Sequence, residues 1–163
     1  MIVYWLLLLV ELIKDIIPIM IGGALLSIKG HADAGRAFAG FCVVMGRLWP
    51  VYYNLKGSHA IMPMIVTALF ADTSLGIALI ILVLIVLFLT KYVSLAAFFG
   101  ALALMGASVL IVESRVCIYL MMLTGAAILV RHFKNLKQIA DGKEEKFNFS
   151  REDLTYKFDN IFK

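Results

Sequence analysis

Six runs of apolar residues follow one another along this chain of 163 residues, at about 2–27, 37–53, 59–73, 75–90, 93–112 and 115–131. Crossing the hydrocarbon core of a bilayer takes a helix of roughly 20 apolar residues, with about 17–25 tolerated. Lipid offers the backbone no hydrogen bonds, so a spanning segment must satisfy its own, and helix is the form that does so. Composition agrees: 63% of the residues are apolar and 16% charged, against roughly 45–50% and about 25% in a soluble domain. A chain this short has too much surface for its volume to hide that excess in a water-soluble core. A soluble globular enzyme and a disordered chain are both excluded. The expected fold is all-α, a polytopic membrane bundle of about six transmembrane helices with a cytoplasmic C-terminal tail. Residues 1–146 form the membrane domain and 147–163 the tail. The third run is short and polar-ended, which predicts a tilted or re-entrant segment. The first is not read as a cleavable signal peptide: it has no basic start, runs too long, and carries Glu11, Lys14 and Asp15 near its middle.

The few charges are unevenly spread. From Arg131 onward the tail holds eight of the 15 basic and six of the 11 acidic residues. Basic residues near helix ends mark the cytoplasmic side. With the tail inside, that side receives Lys56, Lys91, Arg131, Lys134, Lys137, Lys143 and Lys146, and the other only Lys29, Arg36 and Arg115. The expected topology is therefore multi-pass, with the C-terminus cytoplasmic. Three polar segments then share the cytoplasmic face: 52–59, 90–94 and 131–135.

Several chemistries find no support. The net charge of +4 comes with no basic stripe interleaved with aromatics, so no nucleic acid is expected as a partner. Cys42 and Cys117 stand alone in apolar runs, which suggests neither zinc nor a disulfide, and no metal site is expected. There is no HExxH and no GxSxG.

A handful of residues invite a functional reading beside an ordinary one. Lys56-Gly57-Ser58-His59 opens a membrane helix, where free N–H groups and a lysine suit phosphate; a lysine there also serves as a topology anchor. Arg131, His132 and Asn135 cluster at the end of the last span, as part of a site or as an interfacial basic collar. Ser94 lies near the start of its span, as a site residue or bonded back to a helix carbonyl. Charges within a bilayer are functional or paired; Glu11 and Lys14, three apart, read as an intrahelical pair, with Pro18 kinking the helix beyond them. Ala96, Gly100, Ala103 and Ala107 form a small-residue stripe suited to packing within the bundle.

Four segments, in order, resemble a known family. Leu48-Trp49-Pro50-Val51-Tyr52 with Lys56-Gly57 is similar to the GHxxPVFxxFKGGKG segment of the bacterial acyl-phosphate:glycerol-3-phosphate acyltransferases. Thr90-Lys91-Tyr92-Val93-Ser94-Leu95 resembles their TRYxSL, and Arg131-His132-Phe133-Lys134-Asn135 with Gly142-Lys143-Glu144 their RHxxN…GxE. Glu11-x-x-Lys14 resembles their DxxKG. The resemblance covers about residues 8–147. It implies transfer of an acyl group from acyl phosphate to glycerol 3-phosphate, giving lysophosphatidic acid for phospholipid biosynthesis, without a cofactor. It implies catalytic roles for His132, Ser94 and Asn135, and phosphate or substrate binding by Lys56, Gly57, His59, Arg131 and Glu144. The implied partners are acyl phosphate, glycerol 3-phosphate and the lipid bilayer. The chain departs from the family where Gly46-Arg47 stands for GH and Lys56-Gly57-Ser58-His59-Ala60 for KGGKG. The family's first span and SGNIGATN segment have no counterpart here. That leaves a second reading, a catalytically degraded paralogue that binds lipid or protein.

In the tail, Ser150 and Asp153 have capping-box spacing, and Leu154, Phe158, Ile161 and Phe162 share a helical face. Two readings stay open for it: an interfacial or docking helix that takes a protein partner, and a solvated, frayed end.

Overall fold

The computed structural model describes the backbone of residues 2–28, 30–50 and 60–140, and the side chains of Leu6 and of residues 9–28, 30–50 and 60–133 apart from Lys29. Six helices follow in order: α1 (Ile2–Ser27), α2 (Ala32–Leu48), α3 (Ile61–Ala71), α4 (Thr73–Thr90), α5 (Val93–Ile111) and α6 (Arg115–Ala140). Neighbour-to-neighbour packing, with short connections from α3 onward, makes an up-and-down bundle. It is closed by α2, which packs on α6 as well as on α1 and α3. Among the described residues, three helices, Thr73–Thr90, Val93–Ile111 and Arg115–Phe133, are long and apolar enough to cross a membrane.

The bundle is inside out relative to a soluble one in the expected way. α4 is apolar all round, so its sequence does not decide which side faces inward. The structure buries Leu75, Leu79 and Val83 and leaves Ile77, Ile81, Leu84, Ile85, Phe88 and Leu89 outward. α5 turns its small residues in: Ser94, Ala96, Ala97, Gly100, Ala101 and Ser108 are all buried. The small-residue stripe does pack within the bundle, with Gly100 against Met64 of α3 and Val83 of α4. Of the two cysteines, Cys42 faces out and Cys117 in.

Two expectations need correction. The second helix runs 32–48, not 37–53. Its end is set by Pro50, which drives the preceding residue out of helical geometry; the Trp49 N–H closes the last turn on the Met45 carbonyl. Its polar start is helical because Asp33 favours a helix N-terminus and pairs with Arg36 at 3.2 Å. Glu11, in turn, does not pair with Lys14 on its own helix: its carboxylate accepts a hydrogen bond from Arg47 of α2 at 2.5 Å.

α3 has 11 residues against the 18 of α4, a difference of about 10 Å in length at 1.5 Å per residue. A single residue, Asp72, joins the two helices, and its carboxylate caps α4 by accepting from the N–H groups of Ser74 and Leu75 at 2.8 and 3.2 Å. With both helices level at Asp72, the other end of α3 stops short, inside the bundle. Ala60, which precedes it, is buried.

Candidate functional site

The level at which α3 begins is where the polar residues gather. Packing contacts fix the relative heights. In the α5–α6 hairpin, Gly125 lies against the Ala101 carbonyl, close enough that a Cβ would sit 3.0 Å from the oxygen. Seven residues onward in α6 and seven back in α5, two turns each, stand His132 and Ser94. Both are buried, at 1% and 0% exposure. Gly100 meets Met64, so Ala60, at the start of α3, is level with Ala96. Gly40 of α2 meets Thr67 of α3, and the same two-turn step brings Arg47 level with Ala60. One layer therefore holds the end of α2, the start of α3, the start of α5 and His132 of α6.

Ser94, Arg131 and His132 are each engaged in a polar, ionic or ring interaction. Arg131, half-buried, stands immediately before His132 near the end of the candidate span Arg115–Phe133. The backbone is strained at the same end. Among the described residues, the non-glycine residues with positive φ are Ala60 (53°) and Lys91 (59°). Left-handed geometry is costly for both, and such strain collects where a site imposes its own backbone. Lys91 ends α4 by donating its N–H to the Leu87 carbonyl at 2.9 Å, which sends the chain through Tyr92 into Ser94.

The structure thus brings together Ser94, His132 and Arg131 of the residues named from sequence. Asn135 lies on α6, one turn beyond His132, with its side chain outside the described residues. Lys56, Gly57, His59, Glu144 and the whole tail after Ala140 also lie outside them. One residue in the layer was missed as a site candidate: Arg47. An arginine at the end of an otherwise apolar helix, two residues before Trp-Pro, was the available signal.

A family model described as glycerol-3-phosphate acyltransferase matches residues 2–142. The chain belongs to this family. Glycerol-3-phosphate acyltransferase of Finegoldia magna is 33% identical over 124 residues, covering 76% of this chain and 63% of that protein. That of Thermoanaerobacter sp. is 28% identical over 137 residues, covering 83% and 66%. The chain therefore spans just under two thirds of the length of these acyltransferases. The fold is that of PlsY, an integral membrane glycerol 3-phosphate acyltransferase. Its glycerol 3-phosphate form superposes with a TM-score of 0.73 at 20% identity, over 88% of this chain and 70% of that one. Its lysophosphatidic acid form gives 0.72. The membrane-bundle expectation is borne out by this family and fold.

Proposed function

We propose that the protein moves an acyl group from acyl phosphate to glycerol 3-phosphate, producing lysophosphatidic acid at the cytoplasmic face of the cell membrane. The observation that supports it most is the pairing of two buried polar residues, Ser94 and His132, in one layer of an otherwise apolar bundle. Both lie within the stretch that matches the acyltransferase family. Polar side chains inside a membrane bundle are expensive to bury unless hydrogen-bonded, and where they are kept they mark functional sites by default.

The chemistry asks little of the protein. An acyl phosphate is already activated, and the task is to hold two phosphates and aim a hydroxyl at the carbonyl. In this reading Lys56 and the Gly57 N–H bind phosphate, with His59, Arg131 and Glu144 around the substrate. Ser94 and Asn135 orient it. His132 takes the proton of the 1-hydroxyl as its oxygen attacks the acyl carbon. The ester C–O bond forms, the acyl–phosphate bond breaks, and the proton leaves with inorganic phosphate. All six helices cross or enter the membrane in this reading, with α3 reaching only part-way and the C-terminus in the cytoplasm.

The test is turnover by purified protein in lipid nanodiscs, with acyl phosphate and labelled glycerol 3-phosphate. Lysophosphatidic acid should form, and His132→Ala should lower kcat by about 100-fold or more, the usual worth of a positioned base. Wild-type turnover no higher than that of His132→Ala would refute the proposal.

A further inference from the structure

The outward side of α1 carries a charge at a depth where lipid cannot meet it. α1 packs against α2 and α3, and its buried stripe is Asp15, Ile19 and Gly23. Roughly opposite that stripe, Val10, Lys14, Ile17, Ile21 and Ala24 are all exposed. Lys14 is the thirteenth of the 26 residues of α1, about 20 Å from either end at 1.5 Å per residue. Packing puts it at the same depth. Gly23 meets Arg36 and Glu11 meets Arg47, so Lys14 is level with Val44 of α2. Gly40 meets Thr67, and Gly76 meets Leu69, which carries the level through Pro63 of α3 to Leu82, in the middle of α4.

A charge at that depth is placed at substantial cost. Half of the hydrocarbon core is about 15 Å, and a lysine stem covers less than half of that on its way to the headgroups. Nor does α1 neutralise the amine itself. The Glu11 carboxylate is bonded to Arg47 of α2, and Asp15 faces the bundle at 1% exposure. Glu11 is nevertheless 47% exposed, so it stays open to a second donor from outside.

The outward residues have the spacing of a helix seam. Val10, Lys14, Ile17, Ile21 and Ala24 follow at steps of four, three, four and three, the repeat along which two helices pack as a left-handed pair. A lone lysine in such a seam fixes register and partner. Side chains on a helix lean toward its N-terminus, so Lys14 leans toward the level of Glu11. A second copy lies in the membrane in the same orientation. Pairing α1 with α1 about a two-fold axis along the membrane normal sets Lys14 of each copy beside Glu11 of the other, and the surface is its own complement.

We propose that the outward face of α1 is a homodimer surface, closed within the membrane by two reciprocal Lys14–Glu11 bridges. This rests on α1 crossing the membrane, as in the proposed function, but not on acyl transfer.

The test uses the whole chain in phosphatidylcholine vesicles, with Cys42→Ser and Cys117→Ala as background. Val10→Cys puts a thiol in the seam. Leu9→Cys puts one about 100° round the helix at nearly the same exposure, 55% against 52%. With copper-phenanthroline as oxidant, Val10→Cys should form disulfide-linked dimers about tenfold faster than Leu9→Cys, and its rate should fall less than in proportion when the protein is diluted in lipid. Adding Lys14→Met should lower the Val10→Cys rate about tenfold, the worth of a lost charge-assisted pair. Glu11→Gln should lower it likewise, and Lys14→Arg should keep it within about threefold. Lys14 faces outward, so its replacements leave the bundle's own packing in place. Equal rates at positions 9 and 10, or a rate that falls in proportion to dilution, would show collisions between monomers and overturn the proposal. A rate indifferent to Lys14→Met would overturn it too, by removing the bridges. Turnover enters none of these readouts, so an inactive protein would refute the proposed function and leave the dimer to be decided on its own.

Discussion

The hairpins α1–α2 and α5–α6 solve the same packing problem with different chemistry. Both bring two helices close enough for backbone contact at glycine: Gly22 against Gly35 in the first, Gly125 against Ala101 in the second. At the level of the candidate site they part. The first presents Glu11 and Arg47, paired across the interface, with Asp15 buried one turn along α1. The second presents Ser94 and His132, polar side chains that are both buried. Charge in low dielectric is strong but must be neutralised on the spot, so it suits a fixed frame. Uncharged hydrogen-bonding groups can exchange partners at lower cost than a fixed ion pair, so under the proposed acyl transfer the second hairpin would carry the chemistry and the first would serve as its frame.

The strongest way to break it is through the packing of the chemical hairpin. A Cβ at Gly125 would crowd Met105 and the Ala101 backbone, whereas one at Gly106, on the same pair of helices, would meet nothing within 4 Å. Gly125→Leu should therefore destabilise by about 1–3 kcal/mol or more and depress turnover by shifting His132 against Ser94. Gly106→Ala should be neutral or stabilise by roughly 0.5–1 kcal/mol through helix propensity. Thermal unfolding in detergent compares the two. Equal effects would mean that the close approach at Gly125 does not set the register of the site.

The frame hairpin is probed at Asp15. Its Oδ2 is buried and accepts no hydrogen bond, a state that costs about 1–3 kcal/mol. Asp15→Leu should therefore raise stability by roughly that amount, read as a higher melting temperature in detergent. A fall in stability instead would mean that the Asp15 charge offsets Arg47 across the α1–α2 interface.

Much of this was legible in the sequence, for identifiable reasons. Helices α4 and α5 and the start of α6 were read to within a few residues because Lys91, Tyr92, Glu113 and Ser114 interrupt apolar runs sharply; the end of α6 was undershot, since the helix continues through polar residues to Ala140 after the apolar run stops at 131. Ser94 and His132 were named because polar groups stand out against such runs, and the structure brings their helices together. The end of α2 was overshot because Val51, Tyr52 and Tyr53 continue the hydropathy after Pro50 has stopped the helix. Glu11 was assigned to Lys14 because spacing along one helix is visible in a sequence, while the partner from α2 depends on which faces meet. Arg47 was overlooked for the same reason: only the bundle shows that it is level with Ala60, Ser94 and His132.

The smallest expected effect tests the hinge between the two halves of the comparison. Asp72 is the lone residue between α3 and α4, and its carboxylate takes the N–H groups of Ser74 and Leu75. Asp72→Ala removes the cap and should cost about 1 kcal/mol, read as a modest fall in melting temperature. Asp72→Asn keeps an acceptor and should cost less. The α3–α4 turn is held as well by backbone bonds, from Asp72 N–H to the Ala68 carbonyl at 2.9 Å and from Gly76 N–H to the Asp72 carbonyl at 3.0 Å. KM for glycerol 3-phosphate should therefore stay as it was. A rise in KM with Asp72→Ala would mean that the height of α3, and with it the position of Ala60 in the layer, is set from the far end of the bundle, and the frame would then include α3 as well as the Glu11–Arg47 pair.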